Sequence, residues 1–304
     1  MLLWLTDPTA TDPTLTGGKG ANLARLVRWG LPVPPGFVVP VTAFQPILAA
    51  VDAPARLRAL AGETVSAAQL QRLADDLRQM VRERALPPDL VQAIVAAYRH
   101  LAPQDEPVAV RSSALGEDSQ TASFAGQQET YLNVCGPAAV VARVRDCLAS
   151  LFLPRALFYR LHRQHQPTLG LAVVVQRMVQ PRAAGILFTV DPVQGRPQVV
   201  VEAVPGLGEA LASGAVTPDH YAVDRATGAV VATYIPPREG REAPAGLLTA
   251  ADLRALVDLG LRVERLFGQP QDIEWAIADR LYLLQSRPIT TLRRSGHDGA
   301  QPAG

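Results

Sequence analysis

Lysine is almost absent from this 304-residue chain: of its 29 basic residues, Lys19 is the single lysine and the others are arginines. Cysteine is also scarce, because only Cys135 and Cys147 are present, and their spacing is not that of a metal-binding pair. No apolar run approaches the ~18 residues of a membrane-spanning helix. The opening segment 1–5 is too short for a signal peptide. We therefore expect a cytoplasmic protein with reduced thiols.

Net charge is also nearly absent. The 29 basic and 28 acidic residues leave a formal charge of +1, which does not indicate a nucleic-acid-binding surface. Hydrophobic residues make up 48% of the chain and charged residues 19%, as in a globular protein with a substantial core. At ~100–200 residues per domain, the length allows one large domain or two modest ones.

The single lysine lies in a glycine-rich turn, Gly17-Gly18-Lys19-Gly20, followed by a helical pattern that continues to Gly30. Backbone N–H groups at the start of a helix and an ammonium group together favour an anion. The turn lacks the spacing of a Walker A loop. Lysine provides a compact charge on a flexible stem, whereas arginine provides a planar fork. The turn is therefore a position where arginine would not serve, unless this lysine remained by chance.

The remaining pattern predicts an α+β fold, with segregated helices and several antiparallel hairpins. Residues 42–101 are predicted to be mostly helical, with a helical hairpin broken at Pro87-Pro88. Further helices are predicted at 137–151, 154–165 and 249–267. Strands are predicted from 107 to 113 and at 124–134, 171–175, 184–190, 198–204, 220–224, 229–235 and, as a closing hairpin, 272–287. Residues 293–304 are predicted to be a disordered tail.

A polar loop follows the predicted strand that ends in Arg111-Ser112-Ser113. The loop is rich in hydroxyl groups and extends through Gly126 to Thr130. An arginine beside such a loop would suit a lid over phosphate groups. An ordinary surface loop with a salt-bridged arginine is an equally good interpretation of this pattern alone.

The closing hairpin carries polar side chains at alternate positions, so Asp272 shares a face with Glu274, and Gln285 with Arg287. A two-residue loop at 278–279 or 279–280 would bring all four to one face, and a slip by one residue would separate them. Carboxylate and amide oxygens are suitable Mg²⁺ ligands. A solvated polar face with a cross-strand ion pair is the alternative, which the pattern alone slightly favours.

Two further polar residues end apolar strands. Gln176 follows the apolar strand 171–175 and could hold a flat base, or it could simply end the strand. Glu202 ends the run Val199-Val200-Val201 and could accept hydrogen bonds from sugar hydroxyls or pair with an arginine. None of the five histidines is arranged with a nearby serine or cysteine as a nucleophile pair, and we do not expect a zinc site.

These segments together resemble the N-terminal nucleotide-binding unit of the phosphoenolpyruvate synthase and pyruvate, phosphate dikinase family, which rifampin phosphotransferase shares. The resemblance runs from about Thr16 to Thr290. The motifs that carry it are Gly17-Gly18-Lys19-Gly20-Ala21-Asn22-Leu23, Val33-Pro34-Pro35-Gly36-Phe37, Val110-Arg111-Ser112-Ser113, Ser123-Phe124-Ala125-Gly126-Gln127-Gln128-Glu129-Thr130, Gly185-Ile186-Leu187-Phe188-Thr189, Gly206-Leu207-Gly208-Glu209, Val216-Thr217-Pro218-Asp219, Asp272-Ile273-Glu274-Trp275 and Leu284-Gln285-Ser286-Arg287-Pro288.

The resemblance implies an ATP-grasp fold, with ATP between two subdomains that we place at 1–183 and 184–292. It implies that Lys19 and Arg111 contact the phosphates and that Arg287 reaches the terminal one. The other implied contacts are the lid loop for Gly126 and Thr130, adenine for Gln176, ribose for Glu202, and Mg²⁺ for Glu274 and Gln285.

Enzymes of this family also contain a domain with a phospho-accepting histidine and a domain for pyruvate or the antibiotic. No histidine of this chain lies in the small-residue loop expected of that carrier. The resemblance therefore implies an ATP-dependent phosphotransferase unit that needs a carrier histidine on another domain or chain. Alternatives are the ATP-binding part of a rifampin phosphotransferase and a catalytically silent nucleotide-binding regulator.

Overall fold

The computed structural model describes residues 1–58, 66–115, 129–161, 170–212, 214–237 and 246–290. The chain divides into two compact units, one of Met1–Pro181 with Ala276–Arg287 and the other of Arg182–Trp275 with Pro288–Gly304. The predicted subdomain boundary after residue 183 falls near the first division. The prediction placed all of 184–292 in one subdomain, whereas residues Ala276–Arg287 belong to the first unit. The predicted tail 293–304 lies outside the described residues.

The first unit contains seven α-helices and one five-stranded sheet among its described residues. The helices are α1 (Pro13–Arg28), α2 (Val41–Ala50), α3 (Ala53–Arg58), α4 (Ala67–Glu83), α5 (Pro88–Leu101), α6 (Pro137–Ala149) and α7 (Pro154–Leu161). The strands are β1 (Leu3–Trp4), β2 (Gly36–Val39), β3 (Val108–Ala114), β4 (Thr130–Val134) and β5 (Leu171–Arg177). Their order in the sheet is β1-β2-β5-β3-β4, and all neighbours are antiparallel.

The two helices of the predicted hairpin are present as α4 and α5, but both pack mainly on α6 and not on each other. Helix α4 begins with a capping box, in which the Ser66 hydroxyl accepts from the Gln69 N–H and the Gln69 side chain accepts from the Ser66 N–H. Proline at the start of α5 costs no helical hydrogen bond, because the first N–H groups of a helix have no partner within it. Leu77 and Ile94 are buried in the core that these helices form against the sheet.

Two central strands of this sheet position the candidate site. In β5, residues 171–176 are all buried, as the continuous apolar run predicted. Strand β3 pairs with β5 along its whole length, so that Arg111 lies opposite Val174 and Ala109 opposite Gln176. Because β3 is held between β4 and β5, its Arg111-Ser112-Ser113 segment has a well-defined register at the middle of the sheet.

The described residues of the second unit form a sheet, antiparallel from β6 to β9, with one long helix. Its strands β6 (Ala183–Phe188), β7 (Gln198–Pro205), β8 (Asp219–Asp224) and β9 (Val230–Tyr234) lie in sequence order, and β10 (Gln271–Ile277) lies beside β6. Its helices are α8 (Glu209–Ala212) and α9 (Ala250–Phe267). A Cβ atom at Gly260 of α9 would approach a Leu187 methyl carbon to 2.6 Å, so glycine permits close packing of α9 on β6.

The chain closes with a strand–turn–strand segment of β10 and β11 (Leu281–Pro288). The connection is three residues long and contains a hydrogen bond from the Ala278 N–H to the Arg280 carbonyl, 3.0 Å apart. Both predicted two-residue loops are therefore wrong, because the strands end one residue earlier or begin one residue later than expected. In a regular ladder a three-residue connection is the one-residue slip that separates Asp272 and Glu274 from Gln285 and Arg287, so the turn does not support the predicted shared face. The α+β class is confirmed. No described helix combines the length and apolarity that crossing a membrane requires.

Candidate functional site

The glycine-rich turn was predicted to precede a helix. In the structure it interrupts one. Helix α1 begins at Pro13, because Asp12 caps it by accepting a hydrogen bond from the Thr14 N–H at 2.8 Å. The helix is broken at Gly17, whose φ of 68° and ψ of 176° are not helical. The sequence prediction placed the start of the helix after the glycine-rich turn, although Asp12-Pro13 is a recognisable helix start.

Lys19 lies immediately after this break and is only 5% exposed. Its Nζ donates to the carbonyl oxygen of Ser112 in β3, 3.3 Å away. Burying an ammonium group costs free energy unless it is hydrogen-bonded or paired with negative charge. The single lysine of the chain is therefore held inside the first unit, beside the strand that carries Arg111.

Arg111 is 8% exposed and is held by β11. One terminal nitrogen, Nη1, donates to the carbonyl oxygen of Leu284 at 2.8 Å, and Nη2 donates to Oε1 of Gln285 at 2.9 Å. The prediction of an ordinary salt-bridged surface arginine does not fit this burial. The Lys19 side chain thus contacts the backbone of Ser112, the residue that follows Arg111 in β3.

A buried cysteine adjoins this place. Burial raises the pKa of the Cys147 thiol well above its ordinary value, and the positive charge of Lys19 opposes that shift only in part. The Cys147 thiol is therefore neutral at physiological pH and is not a nucleophile. Its Sγ lies 3.9 Å from the Val110 carbonyl oxygen, within the core around β3.

The residues predicted for the lid and for adenine have different environments. Gly126 lies outside the described residues, and Thr130 is an exposed residue at the start of β4, opposite Arg111. Gln176 is only 3% exposed, and its Nε2 donates to the Pro34 carbonyl oxygen at 3.2 Å. The amide of Gln176 thus joins β5 to the segment that leads into β2, and its contact with adenine stays a prediction.

The residue predicted for ribose has an imidazole as its neighbour. Glu202 lies in β7 opposite Ile186 and His220, and its Oε1 is 3.9 Å from Nδ1 of His220. Helix α9 packs on the side of the sheet that carries Leu187, so this row lies on the opposite side of β6 and β7. The residue beside Glu202 is therefore a histidine, where the sequence suggested an arginine as the alternative to a sugar.

The predicted metal ligands lie on β10 and β11. Asp272 and Glu274 are partly exposed and alternate with the buried Ile273 and Trp275. In β11, Gln285 is 8% exposed. Arg287 is partly exposed, two residues further along the same side of that strand. Glu274 belongs to the second unit and Gln285 to the first, so a shared metal site remains a prediction.

Sequence reasoning assigned no role to two buried residues of the first unit. Asn22 donates from Nδ2 to the Ser286 carbonyl oxygen at 3.1 Å and accepts from Nη1 of Arg25 at 3.0 Å. The Ser113 hydroxyl contacts the broken part of α1. Both lie in motifs that carried the resemblance, yet apart from Arg25 the partners named here are 93 to 264 residues away in sequence.

The chain is similar in sequence to phosphoenolpyruvate synthases and rifampicin phosphotransferases. A probable phosphoenolpyruvate synthase of Archaeoglobus fulgidus is 40% identical over 96% of this chain and 42% of its own length. A rifampicin phosphotransferase of Streptomyces sviceus is 44% identical over 91% of this chain and 34% of its own length. A rifampicin phosphotransferase of Bacillus subtilis is 38% identical over 96% of this chain and 36% of its own length. The chain thus spans less than half the length of these relatives.

Similarity to solved structures is much weaker. The D-cycloserine synthetase DcsG covers 88% of this chain and 61% of its own with 13% identity and a TM-score of 0.33, which is too low to support an argument. The family model named pyruvate phosphate dikinase, AMP/ATP-binding domain, matches residues 13–302. The chain therefore belongs to the family of pyruvate phosphate dikinase AMP/ATP-binding domains.

Proposed function

We propose that this chain binds Mg-ATP and transfers a phosphoryl or pyrophosphoryl group to a histidine on a carrier domain or another chain. The phosphate contacts are Lys19, Arg111 and Arg287, with Gly126 and Thr130 in the loop over the phosphates. Gln176 contacts adenine and Glu202 the ribose. We also propose a cytoplasmic location, where thiols such as Cys135 and Cys147 stay reduced.

The observation that carries the proposal is that Lys19 contacts the backbone of β3 at Ser112, next to Arg111. Both cationic side chains are more than nine-tenths buried. Burial strengthens their interaction with a phosphate, because water competes less for the charge. Scarcity supports the same assignment, since the chain has 29 basic residues and retains lysine only here.

The transfer itself needs positioning and charge neutralisation more than it needs acid–base chemistry. The carrier imidazole nitrogen would donate an electron pair to phosphorus as the bridging P–O bond breaks and the leaving phosphate oxygen takes the bonding pair. Lys19 and Arg111 would hold the phosphate oxygens against the negative charge that collects there. Arg287 would neutralise charge on the terminal phosphate.

The donor set of Glu274 and Gln285 fits Mg²⁺, which prefers oxygen ligands and leans on substrate phosphates. Oε1 of Gln285 already accepts from Arg111, but an amide oxygen has two lone pairs and can accept one more interaction. A bound Mg²⁺ would neutralise phosphate charge and fix the phosphate geometry. Glu274 would supply the negative charge that holds Mg²⁺, because the amide of Gln285 is neutral.

Substitution of the metal ligands should change the Mg²⁺ requirement. We expect Glu274→Ala and Gln285→Ala each to raise the Mg²⁺ concentration for half-maximal ATP binding about tenfold, because one oxygen ligand is lost. Gln285→Glu should lower it, because it retains an acceptor for Arg111 and adds a charged ligand. Asp279→Ala, in the turn between the strands, is the control. Titrations of both alanine variants that overlay the unsubstituted protein would show that the metal assignment is wrong.

Transfer to a carrier can be tested directly. The purified chain is incubated with labelled ATP and a histidine-bearing carrier domain from one of its relatives. We expect an acid-labile phosphohistidine on the carrier, consumption of ATP and, for synthase-type chemistry, formation of AMP. A carrier with its histidine replaced by alanine should remain unlabelled. Intact-mass measurement of both proteins locates the label.

Two results of that experiment would refute the proposal that the accepting histidine lies on another domain or chain. One is a stoichiometric phosphate adduct on this chain itself, at His162, His165 or His220. The other is efficient formation of phosphoenolpyruvate from pyruvate by the purified chain without a carrier. Tight ATP binding with no transfer to any carrier would instead favour a silent nucleotide-binding regulator.

A second candidate acceptor pathway is supported by a specific similarity. The rifampicin phosphotransferase of Streptomyces sviceus is 44% identical to this chain, slightly more than the synthase of Archaeoglobus fulgidus at 40%. The ATP half of the reaction would be the same, and the antibiotic would receive phosphate from the carrier. Supplying the labelled carrier with pyruvate and a pyruvate-binding domain, or with rifampicin and its binding domain, distinguishes the two.

A further inference from the structure

The hydrogen-bond ladder of α1 is interrupted at a defined place. In a continuous α-helix the N–H of Gly20 would donate to the carbonyl oxygen of Thr16, four residues earlier. The non-helical backbone of Gly17, with φ of 68°, separates that donor from that acceptor. Both groups lie in a buried region, since Thr16 is fully buried, and buried backbone groups need partners.

The hydroxyl of Ser113 occupies the gap. Its Oγ accepts from the Gly20 N–H at 3.1 Å and donates to the Thr16 carbonyl oxygen at 2.7 Å. One side chain thus replaces the missing ladder bond at both of its ends. Ser113 is itself fully buried, and its own strand position is set by pairing with Ala172 of β5.

Gly17 is matched to this serine. A Cβ atom at Gly17 would lie 2.3 Å from both the carbonyl oxygen and Oγ of Ser113, which is well inside van der Waals contact. The positive φ also disfavours any other residue there. The turn and the strand therefore approach each other so closely that neither can shift without the other.

The break at Gly17 determines the direction in which the Lys19 side chain leaves the backbone. Because Lys19 is the second residue after Gly17, the direction of its side chain depends on the geometry that the Ser113 hydroxyl maintains. Its Nζ donates to the carbonyl oxygen of Ser112, the residue before Ser113. The glycine-rich turn and the Lys19 side chain are therefore both hydrogen-bonded to β3. We propose that Ser113 is a positioning residue for the phosphate contact of Lys19; this rests on the ATP binding proposed above.

A positioning role makes a distinct prediction from a role in stability alone. Loss of the hydroxyl would let the turn relax and would move Lys19 relative to the phosphates, while the base and sugar contacts would not change. ATP affinity should therefore fall more than adenosine affinity, because adenosine lacks phosphates. A purely structural serine would lower the melting temperature and leave the ratio of the two affinities unchanged.

The test uses Ser113→Ala with calorimetry for ATP and for adenosine. We expect the dissociation constant for ATP to rise about tenfold, which corresponds to one hydrogen bond, and that for adenosine to change less than about twofold. Ser150→Ala is the matched control. Ser150 is also buried and its hydroxyl donates at the same 2.7 Å to a backbone carbonyl, that of Cys147. The control should lose melting temperature without a change in the affinity ratio.

The conservative variant Ser113→Thr, which retains the hydroxyl, should recover most of the ATP affinity that alanine loses. Equal losses for ATP and adenosine in Ser113→Ala, or no loss for either, would refute the positioning role. Failure of the proposed function is distinguishable, because the unsubstituted protein would then bind neither ligand. If Ser113→Ala does not fold, the ATP-to-adenosine ratio of Ser113→Thr and Ser113→Cys decides between the two roles.

Discussion

Replacement of Lys19 by alanine is expected to weaken ATP binding about 100-fold. A charge-assisted hydrogen bond to phosphate is stronger than a neutral one, and its loss from a site with little water is not compensated by solvent. Lys19→Arg should be nearly as defective, because the 5% exposed site has room for a compact ammonium and not for a planar guanidinium fork. Isothermal titration calorimetry of the three proteins measures both effects.

Lys19→Met is the matched variant for volume, since it retains an unbranched stem without the charge. It should fold as stably as the unsubstituted protein, or more so, because the cost of burying an ammonium group is removed. A methionine variant that binds ATP normally would show that Lys19 does not contact phosphate. Normal affinity in the arginine variant would refute the argument from the scarcity of lysine.

Replacement of Arg111 by alanine should affect both stability and binding. It leaves the Leu284 carbonyl and Oε1 of Gln285 without their donor. Unsatisfied buried groups of this kind cost about 1–3 kcal/mol each, so the free energy of unfolding should fall by about 2–5 kcal/mol. ATP affinity should fall by at least about tenfold, and saturating ATP should stabilise the variant less than it stabilises the unsubstituted protein.

Arg182→Ala is the control for this experiment. Arg182 also donates to one backbone carbonyl, that of Leu247, and to one side-chain oxygen, on the carboxylate of Asp252, but its side chain is 46% exposed. Because water can replace those contacts, its loss should cost under about 1 kcal/mol and leave ATP binding unchanged. Equal destabilisation in both variants, with ATP affinity retained in Arg111→Ala, would limit Arg111 to a structural role.

Local signals were sufficient to predict most of the secondary structure. The apolar run 171–175 and the stripes of α4 and α5 have the periodicity of the elements that form there. The start of α1 was missed because the glycines of residues 17–20 were interpreted as the helix boundary. Glycine can break a helix without ending it when another element satisfies the freed backbone groups, and here the satisfying group is Ser113.

Candidate site residues could be predicted where the residue type itself indicates a chemical role, such as a cation for phosphate. Lys19 and Arg111 were identified from scarcity and from their motifs, and their contact with phosphate stays a prediction. The contacts of Gln285 with Arg111 and of Glu202 with His220 were not predictable, because they depend on partners and registers that no local pattern encodes. Turn length had the same limitation: two-residue loops were expected, whereas three residues connect β10 and β11.

The bond between Asn22 and Ser286 has a consequence for biosynthesis. These residues are 264 positions apart, and Arg111 reaches Leu284 across 173. Contacts of such long range form late, because the chain entropy lost in closing the loop must be spent before any contact is gained. During synthesis the N-terminal helix leaves the ribosome long before its partner strand exists. A nascent chain should therefore acquire affinity for its nucleotide only after β11 has emerged.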